Sequence, residues 1–157
     1  MMKIKLLLFC FIIVSTFSLN AQNLTSDKVW NLLLKDVKIR YIYSLKYDAI
    51  LPKPKFGKEL KKLNGQTITI QGFFLPVHIT GNIFVLSYNP MNMCFFCTGD
   101  GLQTIIELNV LPEHLKKFKR LRTDNYFQVK GKLRLNTDTS EHLIYILDEV
   151  EFVKLIK

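Results

Sequence analysis

Two cysteines separated by two residues are the groups in this chain whose type and spacing best suit chemistry. Cys94 and Cys97 lie in segment 89–101. A Cys-x-x-Cys pair can close a small disulfide ring, supply two metal ligands, or act as a redox couple. Each use makes a different demand on the residues around the pair, so the neighbouring sequence can distinguish between them.

The redox use fits the neighbouring sequence poorly. A thioredoxin-type pair has its first cysteine at a helix N-terminus, where the helix dipole lowers the pKa of the thiol. Here Gly99, Asp100 and Gly101 follow the pair, and a predicted strand comes next. The two intervening residues, Phe95 and Phe96, bring no charge that would stabilise a thiolate. We therefore do not expect redox catalysis.

A metal site would need ligands from outside the cysteine pair. A structural zinc takes four ligands, and the pair supplies two. The other candidates are scattered along the chain; they are His78, His114, His142 and Asp100. Met91 and Met93 would suit a softer metal such as copper. The sequence favours a disulfide that fixes the loop, with no cofactor, and zinc or copper is the alternative.

The first 21 residues resemble a cleavable secretory signal peptide. Lys3 and Lys5 precede an apolar run over residues 6–14, and Ala21 stands before Gln22 at the expected cleavage point. The run is too short for a membrane-spanning helix, which needs about 20 apolar residues. We expect a periplasmic or secreted product without a transmembrane anchor. Cleavage removes Cys10, so Cys94 and Cys97 would meet an oxidising compartment as a pair.

Composition gives a basic chain without an evident catalytic grouping. The sequence has 22 Lys and Arg against 13 Asp and Glu, a net charge of +9. Most of this charge is expected on a solvated surface. We find no Ser-His-Asp grouping, phosphate-binding loop or suitably spaced carboxylate pair, so we expect a non-enzymatic protein. Export and the inward positions of most phenylalanines argue against a nucleic-acid partner.

The N-terminal part predicts a helix and an extended segment. Thr25 or Ser26 is expected to cap a helix, in which Val29, Trp30, Leu33 and Val37 recur at helical spacing. A strand-like alternation covers 40–50, and the proline-rich stretch 51–55 should then break regular structure. A short helical turn is predicted over 58–63. We expect residues 22–65 to pack on a domain formed by 66–157.

Alternating hydrophobicity from Gln66 onward predicts a small barrel. Strands are expected over 66–77, 83–88, 102–110, 127–135 and 143–156, with a helix beginning at Pro112. Gly72 and Gly131 lie within strands, as bulges or sharp bends require. This order is that of an OB-fold, a five-stranded Greek-key barrel. The predicted class is therefore mainly β, an OB-fold-like barrel with one helix between strands three and four and an N-terminal helix. An α+β sandwich is the rival.

Three motifs resemble a family of small exported bacterial proteins of unknown function. They are Gln71-Gly72-Phe73-Phe74-Leu75-Pro76, Phe84-Val85-Leu86-Ser87, and the stretch from Cys94-Phe95-Phe96-Cys97 to Gly101. The family has a Cys-Phe-Phe-Cys-Gly-Gly loop, and Thr98 here replaces the first of those glycines. The resemblance covers about residues 30–151. It implies an OB-fold-like architecture and export, and no particular activity.

The resulting functional hypothesis is an exported OB-fold-like binding or accessory module. Its partner would be another envelope protein or a small ligand. The alternative is a thiol- or metal-handling protein that uses Cys94 and Cys97. The expected binding loop contributes Asn89, Pro90, Met93, Phe95, Phe96, Gly99, Asp100 and Gly101.

Overall fold

The computed structural model describes residues 24–77, 83–93 and 101–156. The helices are α1 (Ser26–Lys35), α2 (Lys58–Leu63) and α3 (Leu115–Phe118). The strands are β1 (Val37–Ser44), β2 (Ala49–Phe56), β3 (Thr67–Val77), β4 (Ile83–Ser87), β5 (Ile105–Val110), β6 (Tyr126–Leu135) and β7 (Tyr145–Leu155). Short 3₁₀ turns cover Met91–Met93, Leu102–Thr104 and Pro112–His114. None of the helices in these ranges is long and apolar enough to span a membrane.

Five strands close into a barrel in the order β3-β4-β5-β7-β6. All neighbouring pairs are antiparallel except β5 and β7, which run parallel. The only helical segment between the third and fourth barrel strands is Pro112–His114 followed by α3. This arrangement confirms the predicted mainly β, OB-fold-like class. The loop between β6 and β7 is exposed at residues 137–138 and 141–142, where it can carry a site.

Strand β6 shows how the sequence pattern fixes the barrel interior. Phe127, Val129 and Leu133 are fully buried, whereas Lys130 and Lys132 on the alternate face are exposed. Because side chains alternate across a strand, this register puts apolar groups inside and cations outside, as predicted. The interior is rich in aromatic rings, with Phe118 packed edge-to-face against Phe127 at 5.8 Å between centroids.

The two mid-strand glycines allow other parts of the barrel to approach closely. A Cβ at Gly72 would lie 2.6 Å from the carbonyl oxygen of Ser87, and one at Gly131 would lie 2.7 Å from Cγ of Leu147. Only Gly131 lies at a register irregularity, between Lys130 and Lys132. Gly72 continues a regular ladder, so it does not mark a bulge, and the sharp bend stays the other prediction for that position. A side chain there would collide with β4, and this explains the glycine.

Helix α1 docks against the barrel through β3. Trp30 Nε1 donates a hydrogen bond to the carbonyl oxygen of Gln71 at 2.7 Å. The Gln71 amide in turn donates to Ser26 Oγ at 2.9 Å. Thr25 is the N-cap residue of α1, as predicted, but its side chain makes no capping hydrogen bond. The Ser26 hydroxyl binds the barrel.

The proline-rich stretch forms a strand, which corrects the predicted break. β2 pairs along its whole length with β1, from Ala49 opposite Ser44 to Phe56 opposite Val37. A strand at a sheet edge tolerates proline where its missing N–H would have pointed away from the partner strand. The predicted break took account of the proline residues alone and not of the strand edge that each proline faces. We call β1, β2 and their connecting turn the N-terminal hairpin.

Other boundaries also differ from the predictions. The strand-like segment predicted over 40–50 is divided by a turn at residues 45–48, and Val37, which was predicted to continue the helical spacing, begins β1. Residues 102–104 form a 3₁₀ turn, so β5 begins at Ile105 instead of residue 102. The helix expected from Pro112 is a 3₁₀ turn followed by a four-residue α-helix. Its one fully buried side chain, Phe118, reaches into the barrel. It packs there against Phe84, Phe127 and Phe152.

Candidate functional site

The predicted binding loop is tied together at its two ends. The Tyr88 amide donates to the carbonyl oxygen of Thr104 at 2.9 Å, and the Thr104 amide donates to Gly101 at 3.2 Å. Asn89 is held by Ser87, whose hydroxyl donates to the Asn89 carbonyl oxygen at 2.7 Å. Gly101 has a φ of 81°, a conformation that favours glycine. These hydrogen bonds and the backbone conformation of Gly101 therefore fix the main chain at both ends of the loop.

The first turn of this loop also contacts other elements. Pro90 precedes the 3₁₀ turn Met91–Met93, and the Met91 amide donates to Asp124 Oδ1 at 2.7 Å. Tyr88 packs on Trp30 with ring centroids 5.4 Å apart. Met91 itself remains 54% exposed. The start of the loop is thus anchored to α1 and to the segment before β6.

The chemical groups of the predicted site lie outside the described residues. This applies to Cys94, Cys97, Phe95, Phe96, Gly99, Asp100 and His78. The disulfide and the zinc or copper alternative therefore both stay predictions.

The two described histidines are engaged in separate contacts. His114 Nδ1 accepts a hydrogen bond from the Phe152 amide at 3.1 Å. His142 Nδ1 lies 2.8 Å from Glu107 Oε1. Within residues 24–77, 83–93 and 101–156, no group of three His, Cys, Asp or Glu side chains could hold a metal ion.

Glu107 is a buried polar residue that the sequence analysis did not single out. It lies on the outward side of β5 and is 4% exposed. Its second oxygen, Oε2, accepts a hydrogen bond from the Leu143 amide at 3.1 Å. Glu107 therefore fastens the end of the β6–β7 loop to the barrel wall. Its position within an alternating strand offered no local signal for this role.

Part of the outward side of β3, β4 and β5 is covered by apolar packing, whereas Phe73 on β3 is half-buried and packs on Tyr126 with ring centroids 4.8 Å apart. Leu75, Val85 and Ile105 are buried there and contact Ile83, Leu102 and Leu143. In OB-folds this face commonly binds oligonucleotides or oligosaccharides together with the flanking loops. Here an apolar cluster and the Glu107 contacts occupy part of it.

An open groove lies instead between the N-terminal hairpin and the β6–β7 loop. Its volume is about 420 Å³, and it is open to solvent. Apolar and aromatic groups from the hairpin form one wall, and hydroxyl and carboxylate groups from the loop form the other. We call it the hairpin groove; it is lined by Ile42, Tyr43, Ser44, Tyr47, Leu51, Pro52, Lys53, Thr137, Asp138 and Thr139.

A hydrogen bond joins the two walls of the hairpin groove, and a second one orders the loop wall. Thr139 Oγ1 donates to the carbonyl oxygen of Pro52 at 2.6 Å, across 87 positions of sequence. Asp138 accepts from the Ser140 hydroxyl at 2.7 Å. This contact, with help from nearby Lys46 and Lys53, lowers the pKa of Asp138. The groove thus offers an aromatic surface beside an ionised carboxylate and a lysine.

The hairpin also carries most of the large apolar side chains that the described structure exposes. Leu45 in the turn is 90% exposed, and the others are Tyr41, Ile42, Tyr43, Tyr47 and Ile50. Exposed apolar groups gathered in one element are typical of an interaction surface. The alternation of tyrosines over 41–47 predicted a strand. It did not indicate that these side chains would be exposed.

The closed barrel and its strand order define an OB-fold-like protein. No family model matches the chain, and no curated protein does. A solved structure described as an OBody bound to hen egg-white lysozyme is similar, with 10% sequence identity and a TM-score of 0.40. The similarity covers 59% of this chain and 85% of that chain. The fold assignment rests on the topology of the barrel.

Proposed function

We propose that this protein is an exported, non-enzymatic OB-fold-like binding or accessory module. It would act in the periplasm or after secretion, on another envelope protein or a small ligand. The observation that carries the proposal is the hairpin groove. It is a concave site built beside the loop between the last two barrel strands, one of the loops with which OB-folds bind ligands.

The chemistry of the groove suits a ligand with both a flat apolar part and hydrogen-bonding groups. Tyr43, Tyr47 and Pro52 can pack against a ring or an aliphatic chain. Thr137 and Ser44 can exchange hydrogen bonds with hydroxyl or amide groups, and Lys53 and Asp138 add one charge of each sign. A small amphiphilic molecule or a short peptide segment meets these conditions.

The buried residues on the outward side of the barrel also argue against a nucleic-acid ligand. Single-stranded nucleic acid is usually bound by stacking on exposed aromatic side chains along a basic groove. On the outward side of β3, β4 and β5, the corresponding positions hold Leu75, Val85 and Ile105, which are buried. These three buried positions offer no stacking surface, and the hairpin groove remains the proposed site.

A ligand screen observed by NMR tests the groove directly. Small aromatic, saccharide and dipeptide fragments are added to the isotope-labelled protein, and backbone amide shifts are followed. We expect perturbations to centre on Tyr47, Leu51 and Thr139. Tyr47→Ala should abolish them, while Tyr41→Ala, which removes a tyrosine outside the groove lining, should leave them unchanged. Perturbations that centre elsewhere, or that survive Tyr47→Ala, would contradict the groove as the binding site.

Export has its own test. N-terminal sequencing and intact-mass measurement of the protein from the envelope fraction should give a chain that begins at Gln22 or within a residue or two of it. This follows from the charged start, the short apolar run and the Ala21 boundary. An exported protein that retains Met1 would contradict cleavage.

A further inference from the structure

The two outer edges of the N-terminal hairpin differ in their hydrogen-bonding groups. Pro52 lies opposite Tyr41, and Pro54 lies opposite Ile39. Because proline has no N–H, these must be the non-hydrogen-bonded pairs of the antiparallel ladder. In such pairs the backbone groups of both residues point away from the partner strand. Ile39, Tyr41 and, two positions on, Tyr43 therefore direct their N–H and C=O groups outward from β1.

The outer edge of β2 is closed to further pairing. Its prolines remove two outward donors, and the Pro52 carbonyl oxygen already accepts the hydrogen bond from Thr139. The outer edge of β1 keeps all its donors and acceptors. Within the described ranges, no group hydrogen-bonds to the backbone of Ile39, Tyr41 or Tyr43 outside the hairpin. An open row of this kind is a template for strand addition.

One face of the hairpin is strongly cationic. Lys38 lies directly opposite Lys55, and Arg40 lies directly opposite Lys53. These four residues, which we call the cationic face, are exposed. None of them belongs to an ion pair formed within the described parts of the chain. Like charges in directly opposed positions destabilise a sheet, and acidic side chains on a neighbouring strand would relieve this repulsion.

We propose that the outer edge of β1 binds an extended, acidic segment of another polypeptide as a third strand of the hairpin sheet. Its backbone would pair with Ile39, Tyr41 and Tyr43. Its acidic side chains, at alternate positions, would lie on the cationic face beside Lys38 and Arg40. Its other side chains would pack beside Tyr41 and Tyr43, which are 62% and 58% exposed.

The charge distribution favours a different protein over a second copy of this chain. A second β1 would bring another Lys38 and Arg40 to a sheet that already carries opposed cations. A lipid surface could meet the cations and the apolar turn, but it would leave the outward backbone donors of β1 without partners. An acidic extended peptide satisfies the charges and the backbone groups together.

Strand addition would deepen the proposed binding function, and its surface overlaps the hairpin groove only at Tyr43 and Lys53. The probes are labelled peptides as long as β1, 8 residues, with Asp or Glu at every second position and varied apolar or hydroxyl residues between. Matched peptides carry N-methyl groups on alternate backbone amides. Binding to the purified protein is measured by fluorescence anisotropy, and amide hydrogen exchange locates the contact.

Substitutions at Tyr41 separate backbone pairing from side-chain contact. Tyr41→Pro removes an N–H that the hairpin does not use, so the hairpin should fold while its outer edge is blocked. Tyr41→Thr removes the ring and keeps the N–H. We expect acidic peptides to bind wild type and Tyr41→Thr, and to lose at least about tenfold in affinity with Tyr41→Pro. Binding should protect the amides of Ile39 and Tyr41 from exchange, and N-methylated peptides should not bind.

Charge reversal and a groove variant complete the test. Lys38→Glu with Arg40→Glu should abolish binding of the acidic peptides, whereas Lys119→Glu on the exposed surface after α3 should not. Tyr47→Ala should leave peptide binding intact, so failure of the groove and failure of the edge can be told apart. The proposal is overturned if no acidic peptide binds, or if Tyr41→Pro binds as wild type does. Binding to phosphatidylglycerol vesicles that Tyr41→Pro leaves unchanged, without peptide binding, would assign the surface to lipid.

Discussion

The hydroxyl of Tyr145 donates a hydrogen bond to the carbonyl oxygen of Leu33 at 2.7 Å, across 112 positions of the chain. Leu33 lies in the last turn of α1, where carbonyl oxygens have no partner within the helix. Tyr145 is fully buried at the start of β7. One side chain thus completes the end of the N-terminal helix and joins it to the last strand of the barrel.

Tyr145→Phe should lower the free energy of unfolding by about 1–3 kcal/mol, because it leaves the Leu33 carbonyl oxygen buried without a donor. Urea denaturation followed by tryptophan fluorescence measures this change, since Trp30 is on the same helix. Tyr41→Phe is the matched control, because the Tyr41 side chain is largely exposed. Equal stabilities of the two variants would contradict the structural role of the Tyr145 hydroxyl.

Alkaline pH gives a second measure of the same contact. Burial, the main cause, raises the pKa of Tyr145 far above its ordinary value near 10. The folded state thus favours the neutral hydroxyl, and this contribution to stability is complete below about pH 10. It is lost as pH rises above that value, because the tyrosine then ionises in the unfolded chain. The stability difference between wild type and Tyr145→Phe should shrink above about pH 10 and stay constant at neutral pH.

Asp148→Asn should weaken the junction between β6 and β7. Asp148 accepts hydrogen bonds from Arg134 Nε at 2.6 Å and Nη2 at 2.9 Å, and Asn109 donates to it at 2.6 Å. Arg134 is the main cause of the lowered pKa of Asp148. Because the pair is partly exposed, we expect a loss of about 1 kcal/mol at neutral pH.

The effect of Asp148→Asn should depend on acidity. A lowered folded pKa stabilises the protein above the ordinary aspartate value of about 3.9, and this stability is lost as pH falls through the folded pKa. The variant and wild type should therefore converge at low pH. Glu151→Gln serves as control, because its pair with Lys130 spans 3.7 Å at the surface and should contribute little. A pH-independent difference for Asp148→Asn would argue against the ion pair.

Val129→Asp and Lys130→Asp test the register of β6. Val129 is fully buried, so an aspartate there places a charge among apolar groups and should cost several kcal/mol, roughly the whole stability of a small domain. Lys130 is its exposed neighbour, and its replacement should be mild. Melting temperatures of the two variants check this. Similar losses at both positions would mean that the barrel face is assigned wrongly.

Replacing Cys94 and Cys97 with serine should leave the fold intact. The two ends of their loop are already joined by the hydrogen bond between Tyr88 and Thr104. A ring closed over so few residues should stabilise the protein by less than the ~3 kcal/mol of a 15-residue loop. Denaturation of the double variant measures the loss, which we expect to be modest.

A free-thiol count and a metal analysis on protein from the envelope separate the two uses of the cysteines. The disulfide predicts no free thiol and no metal. Bound zinc or copper that disappears in the double serine variant would favour the thiol- or metal-handling alternative. Two free thiols without metal would contradict the disulfide.

Local pattern was enough to predict the barrel and much of its interior. In β6, apolar residues alternate with lysines: Phe127, Val129 and Leu133 against Lys130 and Lys132. This alternation indicates which face of the strand lies inside the barrel, because side-chain direction along a strand has a period of two. The order of strands around one helix then indicated the OB-fold-like topology. The composition of residues 89–101 also predicted a loop after β4, although the two cysteines of this loop lie outside the described residues.

What the sequence alone determined is therefore the set of properties that depend on neighbours along the chain: which residues alternate, where a helix begins, and which face is apolar. Only the tertiary structure decided that the stretch with Pro52 and Pro54 is a strand, because proline is tolerated or excluded according to which strand edge it faces. It also decided that Glu107 is buried, since its partner His142 comes from 35 positions away. The hairpin groove exists because Thr139 meets Pro52 across 87 positions, and no local pattern encodes a contact between segments that far apart.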